Sequence, residues 1–267
     1  MRAIRVLLAV LFLTIGIQQQ GLARTLKIAT VAPAGTTWMQ EMKQGGKNIA
    51  KLTEGRVKLK FYPGGVMGND KSVHRKIKIG QLHGGAFSSG GLTHIDPAIQ
   101  SLSLPMLFKT EAEVDYVREK MDLSLKQSME QNGFVLLGIS GGGFAKILSK
   151  EPLVDLESIR SSKVWVPEGD LMIQETFSML GISPISLPIS DVFTGLQTGL
   201  IETVTINPTA AIAFQWHSST AYMTDAPVIY LVGLLALQKK AFDKIKEADQ
   251  LIVKREITRV FKQLTEL

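Results

Sequence analysis

Gly138-Ile139-Ser140-Gly141-Gly142 places a serine between glycines in the G-x-S-x-G spacing of a nucleophile elbow, and Asp191 and His217 follow in the chain order used by α/β-hydrolases. The chemistry of such a set would be acyl transfer, with Ser140 attacking an ester or amide and His217 taking its proton. An elbow requires a strand, a tight turn and then a helix. Here the turn is followed by Phe-Ala-Lys-Ile-Leu-Ser at 144–149, which has the character of a second strand. A secreted serine hydrolase using Ser140 is therefore the alternative reading and not the leading one.

The other reactive residue types are dispersed. His74, His83, His94 and His217 show no H-E-x-x-H or comparable ligand spacing, and the chain has no cysteine. They predict no metal centre. Neither a Walker loop nor a G-x-G-x-x-G turn follows a strand, so no nucleotide or other cofactor is expected. What remains is a set of polar or aromatic loops at strand ends: residues 34–38, 64–70, 88–91, 141–144, 165–170 and 207–209. In open α/β sheets, ligands collect outside the carboxyl ends of strands.

The elements that must position these loops are legible from periodicity. Residues 26–31 and 57–62 alternate as strands, and a helical pattern over 36–53 separates them. A helix is expected from Asn69 to Ile79, capped by Asn69 or Asp70 and stopped at Gly80. A short strand at 82–87, a helix at 111–132 and a buried strand at 134–139 complete a first α/β unit. A second unit reads as strands at 144–149, 163–166, 185–187 and 203–206, with helices at 171–180 and 190–199. Residues 226–237 form another apolar strand. From Asp243 the chain is helical, with Ile245, Ala248, Ile252, Ile257, Val260, Phe261 and Leu264 on one face. No Gly, Asn or Pro terminator follows, so polypeptide beyond Leu267 is expected.

Arg2 and Arg5 precede an apolar run from Val6 to Ile17, which leads through Gln18–Gln20 to the small residues Gly21 and Ala23. This is the pattern of a secretory signal peptide over residues 1–23, shorter than the roughly 20 apolar residues a membrane span needs. Cleavage would leave 28 basic against 24 acidic residues. That excess is spread along the chain with no basic stripe, which argues against nucleic acid as a partner. An exported chain without cysteine draws its stability from packing, not disulfides. The predicted location is the periplasm.

Two long stretches carry a resemblance. "KLTEGRVKLKFYPGGVMGND" with "KIKIGQLHGG" lies in the first half, and "SKVWVPEGD" with "LGISPISLPISDVFTGLQTGLIETVTINP" in the second. The mature chain from about Leu26 onward resembles the DctP-type solute receptors of tripartite ATP-independent periplasmic (TRAP) transporters. The resemblance implies a two-lobed α/β periplasmic binding protein with a ligand cleft between the lobes, crossing strands as hinges and a long bracing helix. On that frame residues 24–136 with 217–242 form lobe 1, 137–216 form lobe 2, and 243–267 form the lobe-spanning helix. The crossings are expected near 134–140 and 217–225. The implied function is non-catalytic: a monomer captures a small organic solute, an organic acid, by lobe closure and hands it to a small and a large membrane subunit. A ligand-sensing receptor of the same fold is a further alternative.

The resemblance also points to individual residues. Family members commonly carry Lys-aliphatic-Arg-Val-Pro on a second-lobe strand, and that arginine pairs with a substrate carboxylate through two hydrogen bonds. The matching position here is Trp165, and the place of a second family arginine falls at or beside Ala145. With Val164 and Val166 apolar and core-facing, alternation turns Trp165 toward the ligand side. Asn207 matches a ligand-bonding asparagine, and Trp38, Phe144 and Phe193 are expected as apolar walls. Asp70 either closes the pocket or caps a helix. Glu168 and Asp170 are helix N-terminal acids or ligand acceptors, Ser88 lies in a strand-end loop of the cleft, and Lys146 is the nearest substitute cation.

Overall fold

A computed structural model describes residues 23–265. The expected signal segment lies outside the described residues apart from Ala23, as do the last two positions of the expected terminal helix. In chain order the elements are β1 (Arg24–Thr30), α1 (Thr37–Leu52), β2 (Val57–Tyr62), α2 (Asp70–Lys78), β3 (Gly84–Ser88) and the single turn α3 (Ser89–Leu92). A 3-10 segment at Pro97–Ser103 leads to α4 (Glu111–Gln131) and β4 (Phe134–Ser149). The second half holds α5 (Leu156–Ser161), β5 (Trp165–Pro167), α6 (Leu171–Met179), β6 (Ile185–Leu187), α7 (Val192–Thr198), β7 (Thr203–Ile206) and α8 (Pro208–Ala213). The chain then returns through β8 (Tyr222–Gln238) to α9 (Lys239–Phe242) and α10 (Glu247–Thr265).

Local chemistry starts the helices where the sequence signals them. Thr36 Oγ1 accepts from Met39 N at the head of α1, and Asn69 Oδ1 accepts from Ser72 N at the head of α2. Met39, Met42, Gly45, Gly46 and Ile49 form the buried stripe of α1. Gly45 is needed for close packing, because a Cβ there would lie 2.7 Å from a Val260 methyl on α10. Helix α10 buries Ile257, Val260, Phe261 and Leu264 as its periodicity led us to expect, but Val253 takes the buried place expected of Ile252, which is half-buried, and Ala248 is exposed.

Six strands form one sheet in the order β2-β1-β3-β8-β4-β7, and β5 and β6 form a separate parallel pair. β1 runs parallel to β2 and β3, whereas β8 is antiparallel to both β3 and β4. The two strands expected at 134–139 and 144–149 are one continuous strand, β4, which serves both lobes. Its first half pairs with β8 from Val232 to Gln238, and its second half pairs with β8 from Tyr222 to Tyr230 and with β7. The register shifts between Gly141 and Phe144. Gly143 there adopts φ of +74°, which a residue with a Cβ rarely takes.

Two core clusters cover the two faces of the lobe 1 sheet, and a third, built on Leu148, Trp165, Val192, Leu196, Val204, Ile206 and Trp216, fills lobe 2. This is the expected two-lobed α/β architecture. Residues 222–229, expected in lobe 1, instead run along the lobe 2 half of β4. The crossing on the returning strand therefore lies near Tyr230–Val232 and not at 217–225. Helix α10 packs on α1 and β4, and its end reaches the crossing, where Gly141 N donates to Thr265 Oγ1 at 3.3 Å.

Candidate functional site

The three residues of the hydrolase reading do not assemble. Ser140 lies in the middle of β4, 2% exposed, and its hydroxyl points to Gly233 O at 3.4 Å. His217 Nδ1 faces Ala211 O at 3.3 Å, and Asp191 accepts from Ser190 Oγ at 3.0 Å. The strand continues past the glycines where an elbow needs a helix. Among the described residues no group of three or more His, Cys, Asp or Glu side chains could hold a metal ion. None of the described helices is long and apolar enough to cross a membrane.

The polar loops do converge. The turn after β1, the Gly64–Gly68 loop, the head of α2 and the end of β3 surround a small cavity lined by Thr30, Val31, Gly65, Met67, Gly68, Asp70, Val73 and Phe87. Asp70 enters it from the first turn of α2, one residue after the cap. Burial alone raises its carboxyl from 3.8 to about 6. Its Oδ2 lies against Gly91, where a Cβ would collide with it. One helical turn further on, His74 Nε2 meets Gly91 O at 2.9 Å while its ring stacks on Phe87 at 4.8 Å. Burial lowers this imidazole to about 4, so it is neutral at ordinary pH and can donate to that carbonyl.

Lobe 2 faces this rim with the head of α6. Asp170 caps the helix by accepting from Ile173 N at 3.2 Å, and the same Oδ1 accepts from Gln100 Nε2 of lobe 1 at 3.1 Å. Burial raises the Asp170 carboxyl, and these hydrogen bonds oppose the shift. Asn69 Nδ2 donates to Glu168 across the same gap. Asn69 and Asp170 therefore serve twice, capping their own helices and touching the opposite lobe.

Other expected residues lie elsewhere or are otherwise engaged. The expectation that Trp165 opens toward the cleft is corrected: it is 3% exposed and packs edge-to-face on Trp216 with ring centroids 5.2 Å apart. Its indole N–H donates to Leu187 O at 3.0 Å. Alternation failed because β5 is three residues long and buried on both faces, with Val164 and Val166 as buried as the ring. Lys146 is also not an unpaired cation, since it forms an ion pair with Asp225 of β8. The register of β4 shifts at Gly141–Phe144 and again at Ala145–Ile147, on either side of this stretch.

Phe144 packs edge-to-face on Tyr230 at 5.1 Å and joins the lobe 1 core. Asn207 uses both ends of its amide, accepting from Ala210 N to cap α8 and donating to Gly142 O at the crossing. Phe193 packs against the lobe 2 core, and Trp38 meets Phe261 edge-on at 6.4 Å. Ser88 ends β3 with an exposed side chain. Gln100 and Asn69 were missed as rim residues. Asn69 carried only a capping signal, and Gln100, inside a 3-10 segment, carried none.

The sequence profile of the bacterial extracellular solute-binding proteins of family 7 (DctP) matches residues 28–267. The chain belongs to this family. Among curated relatives, protein YiiZ of Salmonella typhimurium is 29% identical over 202 residues, covering 73% of this chain and 62% of its own. The 2,3-diketo-L-gulonate-binding periplasmic protein YiaO of Escherichia coli is 26% identical over 156 residues, covering 58% of this chain and 47% of its own. A TRAP periplasmic solute-binding protein of Xanthobacter autotrophicus, crystallised with β-D-galacturonate, superposes with a TM-score of 0.85 at 22% identity, covering 90% of this chain and 81% of that one. The chain spans about three fifths of the length of the first curated relatives it matches. Family 7 membership agrees with the two-lobed α/β fold.

Proposed function

We propose that the chain is a periplasmic receptor that captures a small organic acid between its lobes and delivers it to a TRAP-type secondary transporter with a small and a large membrane subunit. The observation that carries this reading is the rim itself: in a family 7 chain, strand-end loops of both lobes meet where Asn69 bonds Glu168 and Gln100 bonds Asp170, beside the cavity that Asp70 enters. Solute contacts to both lobes exist only when the lobes are together, so binding shifts the population toward that state by differential affinity. Sugar-acid ligands of relatives such as the galacturonate-bound Xanthobacter protein support the organic-acid class.

The manner of acid recognition departs from an arginine clamp. With Trp165 and Ala145 in place of guanidinium groups, the ligand carboxylate is held by weaker means. We assign Asp70 a donor role when protonated, near and below pH 6, toward a ligand oxygen, and the free N–H groups at the head of α2 a share of the negative charge. In this reading Phe144 and Phe193, partly buried against the cores of the two lobes, are the apolar walls, Trp38 lies against Phe261 behind the sheet, and Asn207 holds the crossing against α8 so that the walls keep their places. Lys146 acts on an acidic ligand only by exchanging Asp225 for it.

Thermal-shift titration with D-glucuronate, D-galacturonate, succinate and the neutral sugar D-galactose tests the reading. A ligand present at a hundredfold its dissociation constant adds about 2.7 kcal/mol. The expected result is stabilisation by one of the acids and none by D-galactose. Stabilisation by the neutral sugar alone would refute the organic-acid class.

A further inference from the structure

The rim contacts between the lobes have an unusual steric form. Gly90, in the single turn α3 of lobe 1, faces Asp170 of lobe 2. A Cβ built on Gly90 would have as its three nearest neighbours the Oδ2, Cγ and Cβ atoms of Asp170, at 2.5, 3.0 and 3.4 Å. Outside its own helical turn no lobe 1 atom comes as near, and Gly90 does not adopt a positive φ. The missing side chain at position 90 thus serves an approach from the other lobe and not a local turn. Asp170 is fixed on the approaching side by its capping bond to Ile173 N and on the receiving side by Gln100. The Asn69–Glu168 bond crosses the gap beside it, and Gly65 lies 3.8 Å, measured from a built Cβ, from Ser190 of lobe 2.

We propose that Gly90 is the seat, and Asp170 the foot, on which the two lobes close, with Gln100 and the Asn69–Glu168 bond holding the foot in place. The contact needs no solute, and it sets how long the lobes stay together once they meet. It rests on the receptor reading only in that lobe closure is what retains the solute. The side chains of the seat recognise the opposite lobe, so they govern retention and leave the choice of ligand to the cavity around Asp70.

The absence of cysteine allows a direct test on the full chain. Nitroxide labels at Lys71→Cys in lobe 1 and Glu175→Cys in lobe 2, both exposed positions, report the distance between lobes without any ligand. The unsubstituted rim is expected to give a population at short distance. Gly90→Ala, a wedge confined to the seat, is expected to empty that population by about tenfold or more, since the strain of an overpacked contact exceeds a 1.4 kcal/mol bias. Gln100→Ala, which removes one bond and leaves the α6 cap intact, should reduce it about fivefold. Gly90→Ala combined with Asp170→Ser, which keeps a capping oxygen but shortens the foot, should recover the population to about the level of Gln100→Ala, since the shortened foot also loses the Gln100 bond. Circular dichroism melting confirms that each variant folds.

The proposal is overturned if Gly90→Ala leaves the distance distribution unchanged. It is equally overturned if Asp170→Ser fails to relieve the wedge, or if no short-distance population exists with the rim intact. Failure of the organic-acid reading would appear in the thermal-shift titration instead, with the wedge and its rescue unaffected.

Discussion

Replacing Asp70 by asparagine keeps the side chain's shape and removes its charge, and the consequence can be worked out in advance. Burial raises the carboxyl from 3.8 to about 6, and no other cause contributes. Below about pH 3.8 the group is neutral both folded and unfolded, and it costs nothing. Between 3.8 and about 6 the unfolded chain releases its proton while the folded chain keeps it, so stability falls as pH rises. Above about 6 both forms are ionised and the loss levels off. Two units at 1.36 kcal/mol each give about 3 kcal/mol. Asp70→Asn is therefore expected to gain about 3 kcal/mol over the parent chain on going from pH 3.5 to pH 7.5. In melting temperature that corresponds to about 6–12 °C for a chain of this size. Urea unfolding of both proteins at half-unit pH steps is the assay, with the difference in free energy plotted against pH. A difference that stays flat from pH 3.5 to 7.5 would refute the assignment of a desolvated carboxyl at this position.

Other substitutions give equally definite outcomes. Trp165→Ala should cost about 3–5 kcal/mol in urea unfolding, because it opens a cavity under Trp216 and strands Leu187 O, whereas Trp165→Phe should lose less than half of that. Arg56 grips Asp249 through two hydrogen bonds of 2.9 and 3.0 Å and holds that carboxyl below its ordinary range. Arg56→Leu should lower stability to urea at pH 7 by leaving the Asp249 carboxylate unpaired, and the loss should vanish as pH falls through the depressed Asp249 value, where the paired form is itself protonated. Gly138→Ala should melt well below the parent, because the added methyl overlaps the Phe261 ring and pushes α10 off β4. Ser140→Ala should leave p-nitrophenyl acetate turnover at the blank rate in parent and variant alike. Turnover lost on substitution would revive the hydrolase alternative.

The helices were legible because their signals are local. Thr36, Asn69 and Gly80 mark boundaries through capping and backbone freedom, and the α10 stripe follows from a 3.6-residue period. Strand membership was less so. Residues 134–149 read as two strands because three glycines interrupt the apolar pattern, yet the ladder to β8 continues through a register shift that no local rule foretells. Trp165 shows the same limit more sharply. Alternation distinguishes two faces only when one of them is wet, and β5 has core on both. The rim depends on residues far apart in the chain: Asn69 with Glu168, Gln100 with Asp170. Such pairs leave no periodic trace, and only the family resemblance indicated where the lobes would meet.

The position of β8 has a consequence for how the molecule is made. It lies between β3 and β4 in the sheet, although it is the last strand among the described residues. Until residues 222–238 have been added, β3 and β4 have no partner for the edges that β8 later occupies, and the central ladder cannot form. Assembly is therefore non-local and late, the regime in which folding is slow. The same order makes any interruption of synthesis before Tyr222 costly, since it would release a fragment with open strand edges prone to pair with one another.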